Sequence, residues 1–356
     1  MSDRKTICII GPCLKMGGIE RASSNVANGL DDLGYRVIYL AIFRQEKFFT
    51  LNKDVLFDEP LAGQNTNKLA IWPTITRIRK KIKEYNPDGI LVYNKFYAAL
   101  VGLALWGTGY SYFLSERSSP FYKWARKIKL INRVAFTLNP PAGVLAQTKQ
   151  AAEFQRKYYG PKPAIEVIPN SLSSTSKANP NLESKQILAV GRLNDHLKGF
   201  DRLIRAMQFV AADWRLAIVG ADSKKGPLND LITELNLGHR ISLEPKASDL
   251  TEYYNSSSIY VIPSRSEGFP NALIEAMAAG LPPVSFNFIA GPAEIISDGQ
   301  NGLLVPEGDI EGLAAAINKL AADLNERKRI AANAKEAEKD YSNDRICSRI
   351  AQFLNL

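Results

Sequence analysis

The chain has 356 residues, 46% of them hydrophobic and 23% charged, the balance of a soluble globular protein long enough for two domains with separate cores. No amino-terminal charged-then-apolar segment reads as a signal peptide, and the longest uncharged apolar stretch, around residues 98–106, is too short to span a bilayer, so a cytoplasmic location is expected. The net charge of +9 is uneven: residues 1–150 hold 22 Lys and Arg against 11 Asp and Glu, whereas the remainder holds 23 against 25.

Short β-branched runs alternate with helical stretches throughout, the pattern of parallel sheets connected by helices. The first strand is predicted at residues 6–11, followed by Lys15, Gly17 and Gly18 and a helix from near Ile19. Further strands are predicted at 37–42, 89–93, 110–115, 143–147 and 165–169. The polar segment 170–185 lacks hydrophobic periodicity and is rich in turn residues, which marks a linker. A second set of strands follows at 186–190, 214–219, 241–243, 259–263, 283–286 and 302–305, so two Rossmann-like domains are expected. A final helix over 341–356 puts Ile346, Ile350 and Phe353 on one face. Cys8, Cys13 and Cys347 lack CxxC spacing and read as structural thiols, not a disulfide framework.

Two amino-terminal segments interleave basic with aromatic and aliphatic residues: 71–85, with Trp72, and 119–136, with Phe121, Tyr122 and Trp124. Both can form basic amphipathic helices that lie on an anionic membrane surface, each cation there adding about 1 kcal/mol. A plainly solvated helix face is the alternative. No nucleic-acid-binding module is evident, and no nucleic-acid partner is expected.

In open parallel sheets ligands bind at the carboxyl ends of strands, and the candidate site residues all follow strands. Gly17 and Gly18 permit close backbone approach at a helix start, where amides favour anions, although a plain strand-to-helix turn explains them equally well. The segment lacks GxGxxG, and the chain has no Walker A sequence. Arg192 follows strand 186–190 and Lys198 lies six residues on, in a loop closed by Gly199. Two cations at one strand end can hold a diphosphate, or can be solvated surface charges. In SRSEGFPNALIEAMAAG, residues 264–280, Glu275 interrupts an apolar helical run eight positions after Glu267. A buried carboxylate needs a partner, either a hydroxyl-rich ligand or a backbone donor or Arg. With two histidines and no DxD pair, no metal-binding constellation is present in the sequence.

In their order and spacing, GGIER (17–21), VGRLNDHLKGFDRLIRA (190–206), the 264–280 segment and GPAEIISDGQNGLLVPEGD (291–309) resemble the family 4 glycosyltransferases. The resemblance runs from the first strand to the last helix and is weaker in the amino-terminal half. It implies the α/β GT-B fold, two Rossmann-like domains facing across a cleft. The acceptor domain would be 1–169 joined by helix 341–356, and the donor domain 170–340. The implied activity is retaining transfer of a hexose or N-acetylhexosamine from a UDP-sugar to a sugar hydroxyl of a lipid-linked, membrane-associated glycan, without metal or other cofactor. The enzyme would be peripheral at the inner face of the cytoplasmic membrane.

By the same resemblance, Arg192, Lys198 and the amides from Gly268 to Asn271 bind the diphosphate and neutralise the leaving group. Glu267 and the backbone of Gly268, Phe269 and Pro270 contact the transferred sugar, and Glu275 the ribose hydroxyls. Gly17 and Gly18 border the donor. Glu294 reads more simply as a first-turn carboxylate favoured by the helix dipole. Two departures stand out: in SERSSP, Arg117 occupies the place where relatives carry a histidine, and Leu243-Glu244-Pro245 replaces the usual turn near the base. Arg117 is expected to meet donor phosphate or an anionic acceptor, and Glu116 to orient it or bind sugar. A paired-carboxylate glycosidase using Glu267 and Glu275 is disfavoured, since one lies in a turn and the other in an apolar helix. A catalytically silent nucleotide-sugar-binding partner and a membrane adaptor are the remaining alternatives.

Overall fold

The computed structural model describes residues 4–65, 69–117, 125–159, 162–172, 177–221, 226–247, 249–289 and 291–356. Phe121, Tyr122, Trp124, the end of SERSSP and residues 173–176 of the polar segment lie outside them. The chain divides into two compact units, Met1–Ser173 joined by Ser342–Leu356, and Ser174–Tyr341.

The first unit runs β1 (Thr6–Gly11), α1 (Gly18–Asp32), β2 (Arg36–Ala41), β3 (Leu56–Asp58), α2 (Ile71–Tyr85), β4 (Gly89–Tyr93), α3 (Lys95–Leu105), β5 (Phe113–Ser115), α4 (Arg126–Leu138), β6 (Gly143–Ala146), α5 (Lys149–Tyr159) and β7 (Ala164–Val167). The second runs β8 (Gln186–Val190), α6 (Phe200–Ala206), β9 (Arg215–Ala221), α7 (Pro227–Glu234), β10 (Ile241–Pro245), α8 (Thr251–Ser256), β11 (Ile259–Ile262), α9 (Asn271–Ala279), β12 (Pro283–Asn287), β13 (Leu303–Pro306), α10 (Ile310–Ala322), α11 (Leu324–Lys335) and α12 (Ala337–Tyr341), before α13 (Asn343–Phe353) returns to the first.

Among the described residues the strands form two all-parallel sheets, ordered β3-β2-β1-β4-β5-β6-β7 and β10-β9-β8-β11-β12-β13. Each order reverses once, between β1 and β4 and between β8 and β11. At such a reversal the connecting loops leave to opposite sides and open a crevice beyond the carboxyl ends of the two strands.

The near-continuous hydrophobicity of β1 follows from helices covering both faces of its sheet. Ile7 and Ile9 pack with Val26, Leu30, Ile346 and Ile350, while Cys8 and Ile10 pack on the other face with Ile78, Ile82, Leu100 and Val101. Each such side chain contributes roughly 1.5–3 kcal/mol by leaving water. Helix α13 docks on α1, where Asn343 Nδ2 donates to the Asn25 carbonyl at 3.1 Å and Phe353 meets Phe113 with ring centroids 5.3 Å apart.

The edge strand β3 was not anticipated from sequence; at three residues it is too short to show a period. It matters because Asp58 collects Arg77, Lys81 and the Tyr85 hydroxyl from α2. Arg79 also donates to the carbonyls of Ala104 and Trp106 at 3.0 and 3.1 Å. Three of α2's five cations are therefore committed to packing this unit together.

Candidate active site

In the second unit, β8 and β11 lie side by side at the sheet reversal, so the loops leaving them, 191–199 and 263–270, meet. Gly199 has φ +68, and a β-carbon there would stand 2.0 Å from the Pro263 carbonyl oxygen, so only glycine allows this approach. Arg265 clamps the loops together. Its backbone N–H donates to the Leu197 carbonyl at 2.8 Å and its Nη1 to the His196 carbonyl at 2.9 Å. Its guanidinium also grips Asp201 through two bonds of 2.7 and 2.6 Å and holds that carboxyl below the usual range. Neither residue was singled out from sequence: they lie 64 positions apart, and nothing local pairs them.

This closure brings Lys198 and Glu267 together. Lys198 Nζ lies 2.9 Å from Glu267 Oε2, and the Ser264 hydroxyl donates to Oε1 at 2.7 Å, so both carboxylate oxygens are engaged. The two side chains are only 20% and 11% exposed, which strengthens their interaction relative to a surface pair. Arg192 shares the loop but not the contact. It is 68% exposed and pairs with Asp195 Oδ2 at 2.8 Å. Lys198 has three N–H donors, so it can hold a ligand oxygen alongside or in place of Glu267.

Helix α9 begins four residues after Glu267. Pro270 at its N-cap offers no side-chain bond, and the first turn holds no acidic residue, leaving the positive end of the helix dipole uncompensated by its own side chains. Gly268 is half-buried; Phe269 and Pro270 are buried, with Phe269 6.2 Å from the Tyr341 ring. The β-carbon position of Gly291 lies 3.1 Å from Pro270 Cδ, so the 291–309 segment backs this turn. Glu275 sits one turn into α9, half-buried between buried Ile274 and Ala276. Glu294 is exposed on a 3-10 turn, Pro292–Glu294.

In the first unit, Gly17 precedes α1 as its N-cap with Gly18 as the first helical residue. A β-carbon at Gly17 would lie 2.2 Å from Glu20 Oε2, because Glu20 folds back over the helix start. Glu20 is buried, and loss of hydration pushes its carboxyl above the usual range. Glu20 was not singled out from sequence, since nothing in GGIER shows that its side chain folds back. Arg117, at the carboxyl end of β5, is buried with Nε donating to Ser115 Oγ at 2.6 Å, a bond to Asn170 Oδ1 and the Tyr93 ring 5.4 Å away. Burial lowers its pKa. Glu116 is buried beside it, its backbone N–H donating to the Leu145 carbonyl at 3.2 Å. Leu243, Glu244 and Pro245 are not a turn after the strand, as expected, but the last three residues of β10, with a register shift against β9 between Glu244 and Pro245.

Among the described residues no group of three or more His, Cys, Asp or Glu side chains is placed to hold a metal ion, and no helix is long and apolar enough to cross a membrane.

Residues 16–174 match the family described as Glycosyltransferase Family 4, and residues 173–337 that described as Glycosyl transferases group 1. An uncharacterized glycosyltransferase of Haemophilus influenzae is 28% identical over 333 residues, 93% of this chain and 94% of its own. The amylovoran biosynthesis glycosyltransferase AmsD of Erwinia amylovora is 26% identical over 369 residues, 99% of each chain. Among solved structures, Anabaena HepE in complex with UDP and glucose matches with a TM-score of 0.81 at 18% identity, over 99% of this chain and 100% of that one. That likeness is one of fold, the two Rossmann-like domains of GT-B glycosyltransferases.

Proposed function

Because the chain belongs to the glycosyltransferases, family 4 over its first unit and group 1 over its second, it is a sugar-transferring enzyme, and we propose that it moves a hexosyl or N-acetylhexosaminyl group from a UDP-sugar to a sugar hydroxyl of a membrane-associated glycan precursor. The observation that carries this reading is the Lys198–Glu267 pair at the sheet reversal, just ahead of the α9 N-terminus. Lys198, Arg192 and the first amides of α9 supply positive charge for a diphosphate leaving group. Each such donor in a preorganised site is worth about 3 kcal/mol in the transition state. As Lys198 turns to phosphate, Glu267 accepts hydroxyls of the transferred sugar, and Glu275 those of the ribose.

In the reaction the bond from the anomeric carbon to the diphosphate oxygen breaks while the acceptor hydroxyl oxygen bonds to that carbon on the same face. The departing oxygen takes the hydroxyl proton, so configuration is retained and no protein base is needed. We assign charge neutralisation to the two cations and the helix end, without metal. UDP in the HepE complex supports the choice of nucleotide, and the role of AmsD in amylovoran biosynthesis supports a bacterial surface glycan as product.

Membrane association at the cytoplasmic face rests on α4. Leu130, Val134 and Leu138, spaced by four, are 62%, 47% and 43% exposed and are flanked by exposed Arg126, Lys127, Lys129 and Arg133. That is the profile of an interfacial helix. Arg117, held inside the first unit, is assigned to orienting the end of β5 with Glu116 beside it.

The test is UDP release from UDP-glucose, UDP-galactose and their N-acetylated counterparts in EDTA, with bacterial glycolipid extract as acceptor. Extract-dependent release that Lys198→Ala abolishes is expected. Release unchanged in both Lys198→Ala and Arg192→Ala overturns the assignment.

A further inference from the structure

The first unit contains a pocket of about 610 Å³. Lys95 at the start of α3, Lys129 and Arg133 of α4, and Lys162 line it, and no carboxylate is among its lining residues. Lys95 Nζ lies 2.9 Å from the centroid of the Tyr158 ring and 5.1 Å from that of Tyr159, both at the end of α5. Burial pulls the Lys95 pKa down to about 8, against the opposing charge of Glu116. One pocket thus gathers four cations, a lining that suits an anion.

A second observation points the same way. Asn132, on the pocket wall, is completely buried, yet among the described residues neither its Oδ1 nor its Nδ2 has a hydrogen-bond partner. The buried Tyr159 hydroxyl, on the same wall, is also unpartnered. Buried polar groups left unsatisfied are costly and rare, and here they converge with the cations on one cavity. The Tyr158, Tyr159 and Phe136 rings add apolar faces. The exposed Leu130, Val134 and Leu138 stripe borders the pocket along α4.

We propose that this pocket binds a phosphate or diphosphate group borne on an organic body, with Lys95, Lys129, Arg133 and Lys162 holding the oxygens, Asn132 donating through its amide, and the aromatic wall covering the attached sugar or lipid. A single carboxylate would leave most of the four cations uncompensated, whereas a diphosphate carries the charge to match them. The site extends the proposed function by naming the acidic group through which a membrane-borne acceptor is held. It rests on that reading only for what the ligand does, not for its binding.

The experiment is calorimetry in EDTA on Lys198→Ala protein, which silences the candidate donor site. The probes are inorganic pyrophosphate, glucose 1-phosphate and farnesyl diphosphate below its micelle concentration. At least one organic phosphate should bind about tenfold more tightly than pyrophosphate, and which one identifies the source as sugar or lipid. Lys129→Glu with Arg133→Glu, both at exposed positions, should weaken that binding about tenfold or more while leaving UDP affinity of the otherwise native protein unchanged. Asn132→Leu should fold and also bind the phosphate less tightly. Equal affinity before and after charge reversal, or no binding of any probe at millimolar concentration, overturns the site. Failure of the native protein to bind UDP, with the phosphate probes still bound, would instead overturn the proposed donor function and leave this pocket standing.

Discussion

The Lys198 ammonium lies 2.9 Å from Glu267 Oε2 although the two residues are 69 positions apart in the chain. They meet because β8 and β11 are neighbours at the sheet reversal and Gly199 lets their loops close to a distance no other residue tolerates. The pair couples two tasks: a diphosphate that recruits Lys198 exchanges one anionic partner for another and releases the carboxylate toward the sugar.

That coupling predicts opposite effects from its two ends. Lys198→Ala should weaken UDP binding and lower kcat/KM about 100-fold to 1000-fold. Glu267→Gln should bind UDP as tightly as the native enzyme or more so, since Lys198 no longer has a carboxylate competitor, yet transfer about 100-fold more slowly. Calorimetry and steady-state kinetics on the two variants check this; a parallel loss of UDP affinity in Glu267→Gln would contradict it.

Gly199→Ala meets both a strained φ of +68 and the Pro263 carbonyl. It should destabilise the second unit by about 3 kcal/mol, and Arg265→Ala by about 1–2 kcal/mol through loss of the Asp201 clamp. Urea unfolding monitored by fluorescence would measure both. A Gly199→Ala protein as stable as the native one would show that the loops do not approach as described.

Lys95 gives a pH signature. Its pKa in the folded protein, about 8, lies below the ordinary 10.5, so between these values the unfolded chain holds the extra proton and stability rises with pH. Glu116, Tyr158 and Tyr159 are the titratable groups that interact with it most closely. Lys95→Met should remove that rise. The variant should exceed the native protein by about 2 kcal/mol at pH 7, with the gap narrowing as pH rises from about 8 toward 10.5. Unfolding midpoints for both proteins across pH 7–10 decide it; identical slopes would contradict the buried ammonium.

For the α4 surface, Leu130→Asp with Val134→Asp should abolish co-sedimentation with phosphatidylglycerol vesicles. The native protein should release them as salt rises. Binding that survives both aspartates would remove α4 from membrane contact.

The architecture was legible in the sequence because parallel strands covered on both faces, such as 6–11 and 186–190, read as apolar runs between helical patterns. Helix α2 spans the expected residues 71–85. What its cations do was not legible, since Arg77 and Lys81 find Asp58 on an edge strand of three residues. The same limit hid the Arg265–Asp201 clamp and the Asn132 pocket, where the partners come from elements distant in sequence. Loops after strands could be named as site segments by topology. Which charges pair within them depends on distances that only the folded sheet sets.

The most direct test of the central claim is calorimetric titration of the purified protein with UDP, GDP and ADP in EDTA, repeated with Lys198→Ala. UDP should bind most tightly, without metal, and Lys198→Ala should weaken it about tenfold or more. UDP affinity unchanged by that substitution, or absent at millimolar nucleotide, would contradict a donor site built on Lys198 and Glu267.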